Sequence, residues 1–188
     1  MPRIMIVVGS VRPGRVGLPI AQWVKGAAEL VEGFDIDFVD LAELHLPFMD
    51  EPNHPRLRQY TKQHTVDWSA RVTAAEGFIF VAPEYNHSYG PALKNALDYL
   101  AAEWWRKPVG MVSYGGISAG SRGVTALEPV LAMLGLIRAG AEVEISLLPD
   151  SRIIDGAFVP NDRETAVLGK LFSELSMLTQ SLRSAQTD

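Results

Sequence analysis

Short apolar runs alternating with amphipathic stretches constrain this chain more than any other feature. Ile4-Met5-Ile6-Val7-Val8, within Arg3 to Val8, is closed by Gly9-Ser10, the pattern of a strand buried on both faces. A helical stripe follows: Pro19 suits a first turn, Ile20, Trp23, Val24, Ala27, Leu30 and Val31 recur at helical spacing, and Gly33 ends it. Asp35 to Leu41 alternates polar and apolar residues, as a strand nearer a sheet edge does. A proline-rich connection, His45 to Pro55, precedes a helical pattern from Arg56 to Glu76. Gly77 to Val81 is the third strand, and Pro91 to Leu100 the helix after it. Lys107 to Ser113 is the fourth strand; Tyr114 to Gly123 is glycine-rich, and a helix runs from Val124 to Leu134. Ile137 to Ile145 is the fifth strand, Pro149 to Asp162 a loop with an Asp155-Gly156 turn, and Arg163 to Leu182 the last helix. Five such alternations predict an α/β fold: a doubly wound five-stranded parallel sheet with helices on both faces. No linker or internal repeat interrupts the pattern, so residues 1–188 are expected to form a single domain.

Composition then removes whole classes of chemistry. With no cysteine there is no disulfide, thiolate nucleophile or iron–sulfur ligand. The histidines, His45, His54, His64 and His87, lack the spacing of a helical metal site, so no metal is expected. A net charge of −5 argues against a nucleic-acid partner. No segment approaches the ~18 apolar residues that span a bilayer, and the first apolar run is too short for a signal-peptide core. The expectation is a soluble, cytoplasmic protein with no membrane partner.

Three loops follow strands one, three and four, and in a parallel sheet all open on one edge. The first, Gly9 to Gly17, combines glycines, Ser10, Arg12, Arg15 and the start of a helix, all of which favour an anion. It is not a triphosphate loop: after Gly9-x-x-x-x-Gly14, Arg15 and Val16 stand where Lys and Ser/Thr belong. A GxGxxG fingerprint is also absent, so a terminal monophosphate fits best. The bland alternative is a tight turn with two solvated arginines. The second loop, Pro83-Glu84-Tyr85-Asn86, offers backbone edges and an aromatic ring to a flat heterocycle. Alternatively, Tyr85 is core and Asn86 a turn residue. The third, Ser113 to Gly120, would let a ring lie against bare backbone, or is simply a flexible connection. One loop suits a phosphate and two suit a flat polar ring, and flavin mononucleotide (FMN) has those two ends.

These residues resemble the NAD(P)H-dependent FMN reductase family of the flavodoxin-like superfamily. The resemblance rests on Gly9-Ser10-x-Arg12 with Arg15 and Gly17, Pro83-Glu84-Tyr85-Asn86-x-Ser88, Leu93-Lys94-Asn95-Ala96-Leu97-Asp98, Glu103-Trp104 with Lys107-Pro108, and Ser113-Tyr114-Gly115-Gly116. It departs from many relatives at Gly90-Pro91, where they have Pro-Gly, and at Arg15-Val16-Gly17, where they carry Ser-x-Asn. The resemblance implies a flavodoxin-like strand order and roles for individual residues. Ser10, Arg12, Arg15, Val16 and Gly17 would hold the FMN phosphate. Pro83, Glu84, Tyr85 and Asn86 would line the isoalloxazine, with Ser113, Gly115 and Gly116 beside it. It also implies ping-pong hydride transfer from NAD(P)H through FMN to a small acceptor: free flavin, a quinone, an azo compound or a metal oxyanion. A homodimer or homotetramer is expected, with Lys94 and Asp98 at the interface. No catalytic acid or base is nominated; His87, beside the ring loop, is a candidate proton donor but more simply a surface residue. The competing class is a non-catalytic FMN-binding electron carrier or redox sensor. Two arginines in the phosphate loop and a modest net charge weigh against a carrier.

Overall fold

The apolar runs form the sheet. In a computed structural model, which describes residues 1–31 and 33–184, the elements in chain order are β1 (Arg3–Val8), α1 (Gly17–Glu29), β2 (Asp35–Asp40), α2 (Leu41–Leu44), α3 (Gln63–Ala74), β3 (Gly77–Tyr85), β4 (Ser88–Tyr89), α4 (Pro91–Asp98), β5 (Pro108–Gly115), α5 (Ser121–Met133), β6 (Ile137–Ser146), β7 (Ile153–Ile154), β8 (Ala157–Phe158) and α6 (Asp162–Ser184). The main path of the sheet runs β2-β1-β3-β5-β6, and every pairing along it is parallel. This is the flavodoxin-like order, with its switch point between β1 and β3. To the five parallel strands the structure adds one short antiparallel strand, β4, folded back on β3.

Alternate residues of the central strands feed two cores. Ile4, Ile6, Val8, Ile79 and Val81 meet α1 and α6 through Ile20, Val24, Leu168, Leu171 and Leu175. Met5, Val7, Phe78 and Phe80 meet α3, α4 and α5 through Trp68, Val72, Leu93, Leu97 and Leu127. Burying each such side chain contributes ~1.5–3 kcal/mol, so the sheet edge rests on a stiff base. Of the tryptophan pair, Trp104 is core, its ring N–H donating to the Leu97 carbonyl at 3.1 Å, while Trp105 is exposed. No helix of the structure is long and apolar enough to cross a membrane among the described residues.

Several boundaries differ from the sequence pattern, each for a local reason. The helix expected over 56–76 occupies only Gln63–Ala74. Pro55 opens a single 3-10 turn that Arg58 ends in the left-handed region, and the Glu51 carboxylate then accepts from the Thr61 and Lys62 N–H groups, fixing where α3 starts. The third strand runs past Val81 to Tyr85 and reverses through Asn86 and His87, both with positive φ (50° and 66°), a two-residue type I′ turn. Helix α1 begins at Gly17, ahead of Pro19, and the 149–162 loop contains the β7–β8 hairpin around Asp155-Gly156. Gly90 caps α4 and Pro91 occupies its first turn, where proline's missing N–H is no loss.

Candidate functional site

Register places the three loops together. Val8 lies opposite Val81, and Pro83 opposite Tyr114, so the chain leaves β1, β3 and β5 at one level of one edge. The Gly9 N–H donates to the Val81 carbonyl at 2.9 Å, tying the first loop to the second.

The first loop leaves part of its hydrogen-bonding capacity unspent. No side chain caps α1, whose first turn therefore presents bare N–H groups and the positive end of its dipole. The Ser10 hydroxyl is buried and lies 2.8 Å from the Tyr85 hydroxyl. Arg12 is exposed and forms no ion pair among the described residues. Arg15, by contrast, is held by Asp40 at the end of β2 through its NH2 group, and its Nε is buried without a hydrogen-bond partner. Val16 is the cap residue itself, and Gly17 is required by packing: a Cβ there would lie 2.2 Å from the Tyr114 hydroxyl oxygen. That hydroxyl is buried and makes no hydrogen bond. Burial holds the Tyr114 phenol above its ordinary value, against the smaller opposing influence of Ser10.

The other two loops are braced against each other. Pro83 is buried, and the Glu84 side chain leaves the ring side altogether: its Oε2 accepts from the Ser118 hydroxyl at 2.5 Å and from the Arg122 N–H at 3.2 Å. Burial, the largest single influence, raises the Glu84 pKa, but Ser118, the Gly123 and Arg122 N–H groups and the Arg122 charge together bring it below the usual value. It is thus an anionic cap on α5, which has no side-chain cap of its own residue at Gly120. Tyr85 is half-buried, and Asn86 is exposed in the turn. His87 shares the turn, its Nε2 accepting from Arg122 at 2.9 Å. Ser113 points beneath its loop, its single hydroxyl proton shared between the Ala119 carbonyl at 3.0 Å and Glu142 at 3.2 Å. Gly115 is buried, whereas Gly116 is exposed, and a Cβ on it would meet only the tip of Leu148 at 3.9 Å. Of the sequence candidates, Ser10, Arg12, Val16, Gly17, Tyr85, Asn86, Gly115 and Gly116 surround the edge, whereas the side chains of Arg15, Glu84 and Ser113 are committed to protein partners.

A cleft of about 330 Å³ adjoins the first loop, lined by Val11, Leu41, Leu46, Phe48, Pro91 and Asn95. Its outer wall is pinned: Asn95 donates to the Pro47 carbonyl at 2.7 Å and accepts the Met49 N–H at 3.0 Å, and the Tyr99 hydroxyl also donates to Pro47. Asn95 belongs to the Leu93–Asp98 block, and its role as a clamp was not legible from spacing. Among the described residues no cluster of His, Asp and Glu could hold a metal ion. The edge can accept a phosphoryl group at the bare α1 terminus and a flat ring against Gly115-Gly116.

Fold and edge define a flavodoxin-like nucleotide-binding protein. Comparison with known proteins narrows the class: the model of the NADPH-dependent FMN reductase family matches residues 2–149, and the chain belongs to that family. It is an oxidoreductase working with FMN and a nicotinamide nucleotide. An NAD(P)H-dependent FMN reductase of Schizosaccharomyces pombe is 38% identical over 185 residues, covering 96% of this chain and 92% of that one. An FMN-dependent NADPH-azoreductase of Staphylococcus saprophyticus is 27% identical over 169 residues, 89% of each chain. Among solved structures, the flavoenzyme NAD(P)H:acceptor oxidoreductase FerB of Paracoccus denitrificans superposes with a TM-score of 0.74 at 19% identity, covering 96% of this chain and 98% of that one.

Proposed function

We propose that this chain oxidises NAD(P)H and reduces a small acceptor in two separate half-reactions at one FMN. Bound FMN would supply hydride acceptance and electron release; the protein supplies position. The observation that carries this reading is the uncapped α1 terminus beside a buried, unpaired hydroxyl, on the same edge as the exposed Gly116 backbone. Ser10, Arg12 and the backbone of Val16 and Gly17 would hold the phosphate, with Arg15 lending charge from its pair with Asp40. Pro83, Glu84, Tyr85 and Asn86 would line the ring with backbone and the Tyr85 face, while Ser113, Gly115 and Gly116 support its other edge. The Glu84 carboxylate keeps the two ring loops in register rather than touching the ring. An azo compound, quinone, free flavin or metal oxyanion would serve as acceptor. The azoreductase relatives and the apolar cleft below Phe48 favour a flat organic one.

The same reading makes the protein a cytoplasmic homodimer or homotetramer. The face carrying Lys94 and Asp98 supports this, because beside it lies a groove of about 700 Å³ that includes Asp98, with Trp105 and Met133 60% and 67% exposed. Lys94 and Asp98 already pair with each other within α4 at 2.5 Å, so a partner would meet a neutralised rim.

The test is anaerobic addition of NADPH to the FMN-loaded protein, followed by an azo dye or quinone. Bleaching of the flavin band before acceptor is present, and its return afterwards, is the expected result. Binding without bleaching would make the protein a carrier or sensor instead.

A further inference from the structure

We propose that the Tyr114 hydroxyl is a buried donor that selects a phosphorylated flavin over an unphosphorylated one, a role that rests on the FMN reading above. Tyr114 lies at the end of β5, is 4% exposed, and its hydroxyl has no hydrogen-bond partner. Buried O–H groups are almost always paired, because a dry, unsatisfied one is costly. The hydroxyl lies against the first residue of α1, where a Cβ on Gly17 would stand 2.2 Å from it.

What surrounds that point is short of acceptors rather than donors. The first-turn N–H groups of α1 can only donate, and no side chain caps them. The Ser10 hydroxyl lies close enough to Tyr114 to oppose the rise in its pKa, but it is already engaged with Tyr85 and the Arg12 N–H. Asp40, the nearby carboxylate, is taken by Arg15 and by the Ala42 N–H. The phenol is protonated at neutral pH even at its ordinary pKa, and burial raises that pKa further, so it too can donate there. A group with several acceptor oxygens and no donors completes this arrangement, and a phosphate monoester is such a group. A ribityl hydroxyl, which brings its own proton, completes it less well. Tyr114 is therefore a positioning and specificity residue at the α1 terminus.

The experiment compares affinities for FMN and riboflavin, by flavin fluorescence, in full-length protein freed of flavin and in its Tyr114→Phe variant. The wild type should prefer FMN, and Tyr114→Phe should lose about tenfold in FMN affinity with riboflavin affinity unchanged, as expected for one hydrogen bond to a charged oxygen. Inorganic phosphate should compete with FMN more weakly in the variant. The flavin-free variant should melt no lower than the wild type, since it loses only an unsatisfied hydroxyl, and this reads folding independently of binding. Unchanged FMN affinity, or equal losses for FMN and riboflavin, would overturn the role of Tyr114 while leaving the FMN reading intact. A wild type that binds riboflavin as tightly as FMN would overturn the phosphate reading itself.

Discussion

The loops after β1 and β2 leave neighbouring strands at the same edge, yet they use their polar groups in opposite ways. In the β2 loop nearly every polar group is spent on the protein itself. Asp40 caps α2 and pairs with Arg15, Glu51 accepts the Thr61 and Lys62 N–H groups just ahead of α3, Asp50 lies within hydrogen-bond distance of the Tyr99 hydroxyl and of His64, and Asn95 grips the Pro47–Met49 backbone. In the β1 loop a helix terminus goes uncapped, and a phenol and one guanidinium nitrogen stay unpaired beside it. Buried hydrogen-bonding groups are mostly paired, and although Thr65 and Arg138 also keep an unpaired atom elsewhere, only the β1 loop gathers two such groups at an uncapped helix terminus among the described residues. The comparison teaches that the working loop is recognised by what it lacks, not by which residue types it contains.

The comparison can be broken at single positions. The largest effect is expected at Gly17→Ala, whose new methyl would collide with Tyr114; such overpacking costs about 1–3 kcal/mol, and landing on the site it should weaken FMN binding ~10- to 100-fold in a fluorescence titration. The two arginines of the loop should separate cleanly. Arg15→Met strands the buried Asp40 and should cost about 2 kcal/mol of stability in denaturant titration. Arg12→Met should leave stability alone and lower FMN affinity about tenfold, because the exposed Arg12 side chain forms no ion pair among the described residues.

The smallest effect lies in the β2 loop. Glu51→Gln should cost about 1 kcal/mol, as weakening hydrogen bonds to a charged acceptor does, without touching FMN affinity. Burial, the largest single influence, opposes ionisation of Glu51, but the N–H and hydroxyl groups of Thr61, the Thr65 hydroxyl and the Lys62 N–H together lower its pKa to about 2. A carboxylate depressed on folding contributes stability that is present above its unfolded value near 4.5 and is lost as the pH falls toward 2. The variant should therefore show a shallower decline of stability across that window than the wild type.

The sheet and its two helix-covered faces were legible because burial on both sides writes itself as continuous apolar runs, whereas the strand order is not carried by periodicity and came with the resemblance. The Asn86-His87 reversal was not, because left-handed turn residues usually announce themselves with glycine and here do not. The late start of the helix expected over 56–76 depends on Glu51, remote from it in sequence, and local propensity carries no such information. At the site, the loops were readable from residue type, but the commitments of Arg15 to Asp40, Glu84 to Ser118 and Ser113 to Ala119 were not. The sequence places Tyr114 at the start of the glycine-rich loop and gives it no role of its own; only the unpaired hydroxyl distinguishes it.

The most direct test of this account is an amide chemical-shift titration of the protein with FMN. Large shifts are expected at Val11, Arg12 and Val16 to Leu18, with a second group at Glu84 to Asn86 and Gly115 to Ile117, while Asn53 to Lys62 stay still. Shifts centred on Asn53 to Lys62 with a silent α1 terminus would contradict the account, because the loop that spends its donors on itself would then be the one that binds.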